Sequence, residues 1–158
     1  MMKGLRGFTL IELLVTVTII ALLASVALPM TELIVKRTKE QELHADLREI
    51  RKGIDAYKQA WDEGRIPKGL EDNGYPKTLD ILAEGVEDPK SPILSKIYFM
   101  RRIPRDPFNP DITVSASDSW GKRAYASPPD DPEEGDDVYD VYTLNKGVGL
   151  NGIPYREW

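Results

Sequence analysis

The sequence predicts an α+β fold: one long N-terminal helix, transmembrane in its first half, packed on a small antiparallel sheet with long loops. Three observations carry this expectation. An apolar run spans Phe8 to Leu28, an apolar stripe at helical spacing runs from Leu43 to Trp61, and past Gly64 the chain turns to short strand-like pieces separated by prolines and glycines. The 158 residues, 41% hydrophobic and 30% charged, suit one domain of ordinary size plus an anchor. The formal net charge is -5, and after residue 35 the lysines and arginines are interspersed with acids. No basic stripe is offered to a phosphate backbone, so nucleic acid is not an expected partner. The sequence has no cysteine, which removes disulfides, thiolate metal sites, a thiol nucleophile and lipoprotein anchoring together.

The first element is the apolar run. Lys3 and Arg6 precede it, and only Thr9, Glu12, Thr16, Thr18 and Ser25 interrupt it before Leu28. Its roughly 21 residues would span about 31 Å as a helix, the thickness of a bilayer's hydrocarbon core. The positive-inside rule leaves Lys3 and Arg6 in the cytoplasm and sends the chain after Leu28 outward. A cleaved secretory signal peptide, with Ser25 and Ala27 as its small residues, or a plain anchor would share these features. Neither accounts for Glu12. An acid in an apolar span costs up to roughly 2.5–3.5 kcal/mol at the helix centre, somewhat less near the end, and such residues have functional reasons to be there.

The string Gly7-Phe8-Thr9-Leu10-Ile11-Glu12-Leu13-Leu14 resembles the processing site of type IV prepilins and pseudopilins. That resemblance implies a leader, residues 1–7, removed by prepilin peptidase after Gly7, and N-methylation of Phe8. It implies an assembly helix over residues 8–29 and a periplasmic globular domain over residues 30–158 that includes the second half of the long helix. It also gives Glu12 a partner, the terminal amine of a neighbouring subunit. The spacing suits this, since Phe8 and Glu12 lie about 6 Å apart along a helix axis, roughly one turn. Opposite charges tolerate hydrocarbon far better together than alone, so the pair would select the neighbour and fix its axial stagger.

Pro29 follows the apolar run, where a proline removes one helical bond and bends or loosens the segment. In the family, a proline at the matching place accompanies loss of helicity inside filaments, which marks Pro29 as an assembly residue; on sequence alone it could equally end the span. Beyond a charged stretch, Leu43, Leu47, Ile50, Ile54, Tyr57 and Trp61 recur at spacings of four and three, one helical face. The stripe lasts under three heptads, which suits packing on the chain's own head better than a coiled coil. Gly64 supplies a stop and Pro67 lies just beyond, giving one helix from about Thr9 to Glu63. His44, the only histidine, reads as a helix-surface residue.

In the head, residues 75–82 read as a turn feeding a short helix, with Thr78 as cap and Gly85 as stop. The stretch Tyr98-Phe99-Met100-Arg101-Arg102-Ile103-Pro104-Arg105-Asp106-Pro107-Phe108 resembles a signature of G-type pseudopilins. From its residues it is a proline-fixed loop, expected to be held by aromatic burial. Residues 120–126 and 138–144 are strand-like and should pair antiparallel. The acidic, proline-rich segment between them reads as a solvated loop. The ending, Gly152 to Trp158, resembles the C-terminus of G-like pseudopilins that finish on tryptophan.

Catalytic signals fall away on inspection. Gly147-Val148-Gly149-Leu150-Asn151-Gly152 matches GxGxxG, but no βαβ unit follows it and it reads as a turn. No EF-hand fits the acidic loop, because Pro132 holds what would be its third position and Val141 its twelfth. No motif sets a nucleophile beside a base, so the chain is not expected to be an enzyme. G-type pseudopilins commonly hold calcium in the loop after their last strands, but here residues 144–152 contain no acid and one lysine. No cofactor is therefore expected, calcium being the one candidate, and Asn145, Asn151, Tyr155 and Trp158 are expected to hold the loop instead.

The resemblance thus implies a structural subunit polymerising into the periplasmic pseudopilus of a type II secretion system and driving export across the outer membrane. A type IV pilus subunit is the alternative, disfavoured by the lack of cysteine; a soluble periplasmic binding protein is the other. Implied partners are further copies of the chain, minor pseudopilins, prepilin peptidase and the inner-membrane platform protein. The implied location is the bacterial inner membrane, crossed once, with the C-terminal domain in the periplasm.

Overall fold

The computed structural model describes residues 7–69, 72–93 and 95–158. Lys3, Arg6 and the leader before Gly7 lie outside the described residues. The chain divides into two units, residues 1–38 and 39–158, with the boundary inside the long helix α1, Leu10–Asp62. Sequence had placed this helix at Thr9 to Glu63, one residue longer at each end. Its stop is a two-bond cap: the Gly64 N–H donates to the Trp61 carbonyl and the Arg65 N–H to the Ala60 carbonyl, with Gly64 at φ +70°. Helical structure continues through Pro29, so the local melting considered for that position is absent from the single chain. Pro29 withholds one N–H from the Ser25 carbonyl, and the bonds of the flanking turns keep the helix formed.

In the first unit the large apolar side chains described between Leu10 and Val35, from Leu10, Ile11 and Leu13 to Leu33, Ile34 and Val35, are exposed. The second unit has its own core. Leu43, Leu47, Ile50 and Ile54 are fully buried, and they pack with Leu79, Leu82, Met100, Ile103, Trp120 and Val141. Burying each such aliphatic side chain is worth about 1.5–3 kcal/mol. The stripe is therefore the inner face of a helix laid on its own head, as its period implies.

Helix α2, Asp80–Glu84, stops at Gly85 as expected, at φ +76°, where a Cβ would stand 2.9 Å from the Ile97 carbonyl oxygen. The expected Thr78 cap is not used: Leu79 precedes the helix in right-handed conformation, with no side-chain capping bond among the described residues. A short ladder that sequence did not reveal joins β1, Val86–Glu87, to β2, Lys96–Ile97. The second sheet pairs β3, Trp120–Arg123, antiparallel to β4, Asp140–Thr143, in the register Trp120↔Thr143. These lie within the two expected strand segments but are shorter, because the Ala124 N–H leaves the ladder for the Glu133 carbonyl of the acidic loop.

The proline-fixed stretch is irregular, as expected, but aromatic burial is only part of what holds it. Tyr98 is exposed, whereas Met100 and Ile103 are buried. Trp120 of β3 donates its indole N–H to the Pro104 carbonyl at 2.8 Å. Asp106, 2% exposed, accepts the Thr143 hydroxyl and the Phe108 N–H, which ties the loop to β4. Buried polar groups of this kind need such partners, and here the partners come from three separate segments.

Candidate functional site

The assembly residues picked from sequence fall in the first unit. The α1 N-terminus is built by Thr9 and Glu12. The Glu12 N–H donates to the Thr9 hydroxyl at 3.3 Å, and the Thr9 N–H lies 3.5 Å from Glu12 Oε2. This is a reciprocal capping box, T-x-x-E, with Thr9 immediately before the first helical residue. The T-x-x-E spacing is itself legible in the sequence as a capping signal, beside the acid's role between subunits. Its bonds are long, so the carboxylate is loosely held and remains exposed. Gly7 and Phe8 precede α1, Glu12 lies in its first turn, and Phe8 is 82% exposed. A Cβ at Gly7 would meet nothing within 4 Å, so the fold does not itself demand glycine there. Pro29 lies 17 residues beyond Glu12, about 26 Å along the axis at 1.5 Å per residue. The apolar part of α1 is long and apolar enough to cross a membrane, and among the described residues none of it is buried within the chain.

A second polar constellation lies in the 39–158 unit and was missed from sequence. Glu40, one turn before the stripe begins, is 8% exposed, and its Oε1 accepts the Leu150 N–H at 2.9 Å and the Tyr155 hydroxyl at 2.8 Å. Extending the stripe's four-and-three spacing back from Leu43 lands on Glu40, which was the available signal. Burial, together with the bond to Glu40, pushes the Tyr155 phenol above its ordinary value, so it stays a donor. Tyr155 also packs on Phe108 and Trp158, and Trp158 stacks on His44 at 3.9 Å between ring centroids. His44 therefore lies at the surface of α1, as expected, but serves as a platform for the chain's end. Arg51 fastens the same region, donating to Asp140 Oδ1, the Val141 carbonyl and the Trp158 carbonyl.

Electrostatics of the head yield one pH dependence. Burial pushes the Asp46 carboxyl up to about 6, helped by Glu42, Glu49 and Asp106. Because the folded value is raised, the folded state holds the proton more tightly than the unfolded chain. Its contribution is complete below about pH 4 and is lost as pH rises through 6. Asp46→Asn should then raise the melting midpoint at pH 8 and have almost no effect at pH 4. Melting curves of the two proteins at both pH values check this, and an equal shift at both would contradict it.

Residues 2–28 match the prokaryotic N-terminal methylation motif, which defines the class: a membrane-anchored protein of the type IV pilin kind, with a prepilin-like start. The chain is 30% identical over 113 residues to the type II secretion system core protein G of Escherichia coli (strain K12), covering 69% of this chain and 70% of that one. Proteins of the same description from Dickeya chrysanthemi, 26% identical over 152 residues, and Klebsiella pneumoniae, 28% over 150, are covered over 92% and 99% of their lengths, and cover 93% and 92% of this chain. The chain belongs to the type II secretion system core protein G family. No solved structure gives a significant match.

Proposed function

We propose that the chain is a structural subunit that polymerises into the pseudopilus of a type II secretion system, where the growing filament drives protein export across the outer membrane. The observation that carries this reading is Glu12, the one charged residue between Phe8 and Leu28, in the first turn of a predominantly apolar helical segment whose described side chains are exposed. In a membrane or a filament that carboxylate needs a cation. The amine created at Phe8 by cleavage supplies one from a neighbouring copy, and Glu12 leaves its loose cap on Thr9 to meet it. Pro29 sets the place where the packed helices yield inside the filament. The role is mechanical rather than enzymatic.

Membership of the family supports the remaining assignments. Prepilin peptidase cleaves after Gly7, Phe8 is N-methylated, and the chain assembles with its own copies, with minor pseudopilins and on the inner-membrane platform protein. Before assembly it rests in the inner membrane, crossing it once, with the head in the periplasm.

The direct experiment is the mature N-terminus by mass spectrometry or Edman sequencing. Phe8 is expected, whereas a start near Leu28 would mean an ordinary signal peptide. Gly7→Leu tests the same step from the other side. The fold leaves room for that side chain, so the variant should fold and insert normally yet retain its leader, visible as the added mass of residues 1–7. Normal processing of Gly7→Leu would argue against prepilin peptidase.

A further inference from the structure

We propose that Glu40 performs in this chain the anchoring task that the family resemblance would give to a calcium ion, so that the C-terminal loop and the head around it are formed independently of calcium. Calcium takes six to eight oxygen ligands, carboxylates among them. Residues 144–152 contain no acid, and their two side-chain amide oxygens are already committed. Asn145 Oδ1 accepts the Gly147 N–H at 2.7 Å, and Asn151 Oδ1 accepts the Ile153 N–H at 3.0 Å. Backbone carbonyls are occupied as well: Gly147 O accepts the Tyr155 N–H, Gly149 O the Gly152 N–H, and Ile153 O the Gly149 N–H. Among the described residues no group of three histidine, aspartate or glutamate side chains is placed to hold a metal. The donor set does not fit the ion.

What the loop has instead is a carboxylate delivered from outside it. Glu40 reaches in from α1, 110 residues away in sequence from Leu150, and binds a backbone N–H at the loop's far side and a phenol at its exit. A metal ion draws carbonyl oxygens inward; a carboxylate draws N–H and O–H donors inward. The loop accordingly turns its Leu150 N–H toward the helix and uses its own amide side chains to close each turn. The Glu40 contact couples the loop to the helix that carries the anchor, a coupling that does not depend on how copies of the chain pack together.

The test uses the full chain in detergent micelles, with calcium chloride and with excess chelator. The melting midpoint of the unaltered protein should be the same in both, and Glu40→Ala should lower it by several degrees in both. The Leu150 amide should exchange with deuterium about tenfold faster in Glu40→Ala, the factor lost with one buried hydrogen bond, and recover most of its protection in Glu40→Gln, which keeps the acceptor oxygen. Should Glu40→Ala not fold, Tyr155→Phe removes only the hydroxyl and should show a smaller loss, again unaffected by calcium. A rise of many degrees with calcium in the unaltered protein would overturn the proposal, because a ligand that binds only the folded state must stabilise it. So would unchanged exchange at Leu150 in Glu40→Ala, or calcium restoring Tyr155→Phe.

Discussion

Glu12→Leu is expected to abolish pseudopilus formation and secretion while leaving membrane insertion intact or improved. The replacement makes the N-terminal span wholly apolar around that position, removing a cost of up to roughly 2.5–3.5 kcal/mol, so insertion gains. What disappears is the partner of the neighbouring subunit's amine, which is then left buried without a counter-charge. Breaking a buried pair by deleting one member costs about 3–5 kcal/mol, and each added subunit incurs that cost again. The capping box gives the matching control. Thr9→Val removes the hydroxyl that accepts the Glu12 N–H but leaves the carboxylate in place, so its filaments should persist. Electron microscopy of filaments and a secretion assay on both variants decide the matter. Normal filaments from Glu12→Leu would end the pairing account, and equal loss in Thr9→Val would mean that helix capping, not pairing, is the acid's task.

Trp120→Ala should be the most damaging single change in the head. The side chain is 1% exposed and joins the core of α1 and α2 to the proline-fixed loop through its bond to Pro104. Truncating a buried tryptophan costs about 3–5 kcal/mol, a large share of the roughly 5–15 kcal/mol that stabilises a domain. Trp120→Phe keeps most of the volume and should cost less, chiefly through the unpaired Pro104 carbonyl. Equilibrium denaturation of the full chain in detergent, followed by near-ultraviolet circular dichroism, measures both. A loss below about 1 kcal/mol for Trp120→Ala would show that the core does not depend on β3 in the way the packing implies.

Local signals carried the sequence reading where one physical rule acts over a few residues. The four-and-three spacing from Leu43 to Trp61 found the buried face of α1, because only one side of a helix of 3.6 residues per turn can meet a core. Gly64 and Gly85 were legible as stops, since both adopt positive φ angles that other residues resist. The strand pair after residue 120 was found from composition, though its ends were placed too far out, because nothing in residues 124–126 reports that Ala124 bonds to the acidic loop. Thr78 was misjudged for a similar reason: a good capping residue is a local preference, and the helix began two residues later.

The sequence by itself determined the anchor, the acid within it, the processing string, the long helix and the absence of any disulfide, all consequences of residue type and short-range periodicity. The tertiary structure decided the rest. Glu40 lies in the charged stretch before Leu43, and only the fold brings Leu150 and Tyr155 against it. Asp106 looked like part of a proline loop until Thr143 closed over it, and His44 like a bare surface residue until Trp158 stacked on it. In each case the partners stand far apart along the chain. A carboxylate carries no local sign of which distant donor will reach it, since that depends on loop closure and packing rather than on its neighbours in sequence.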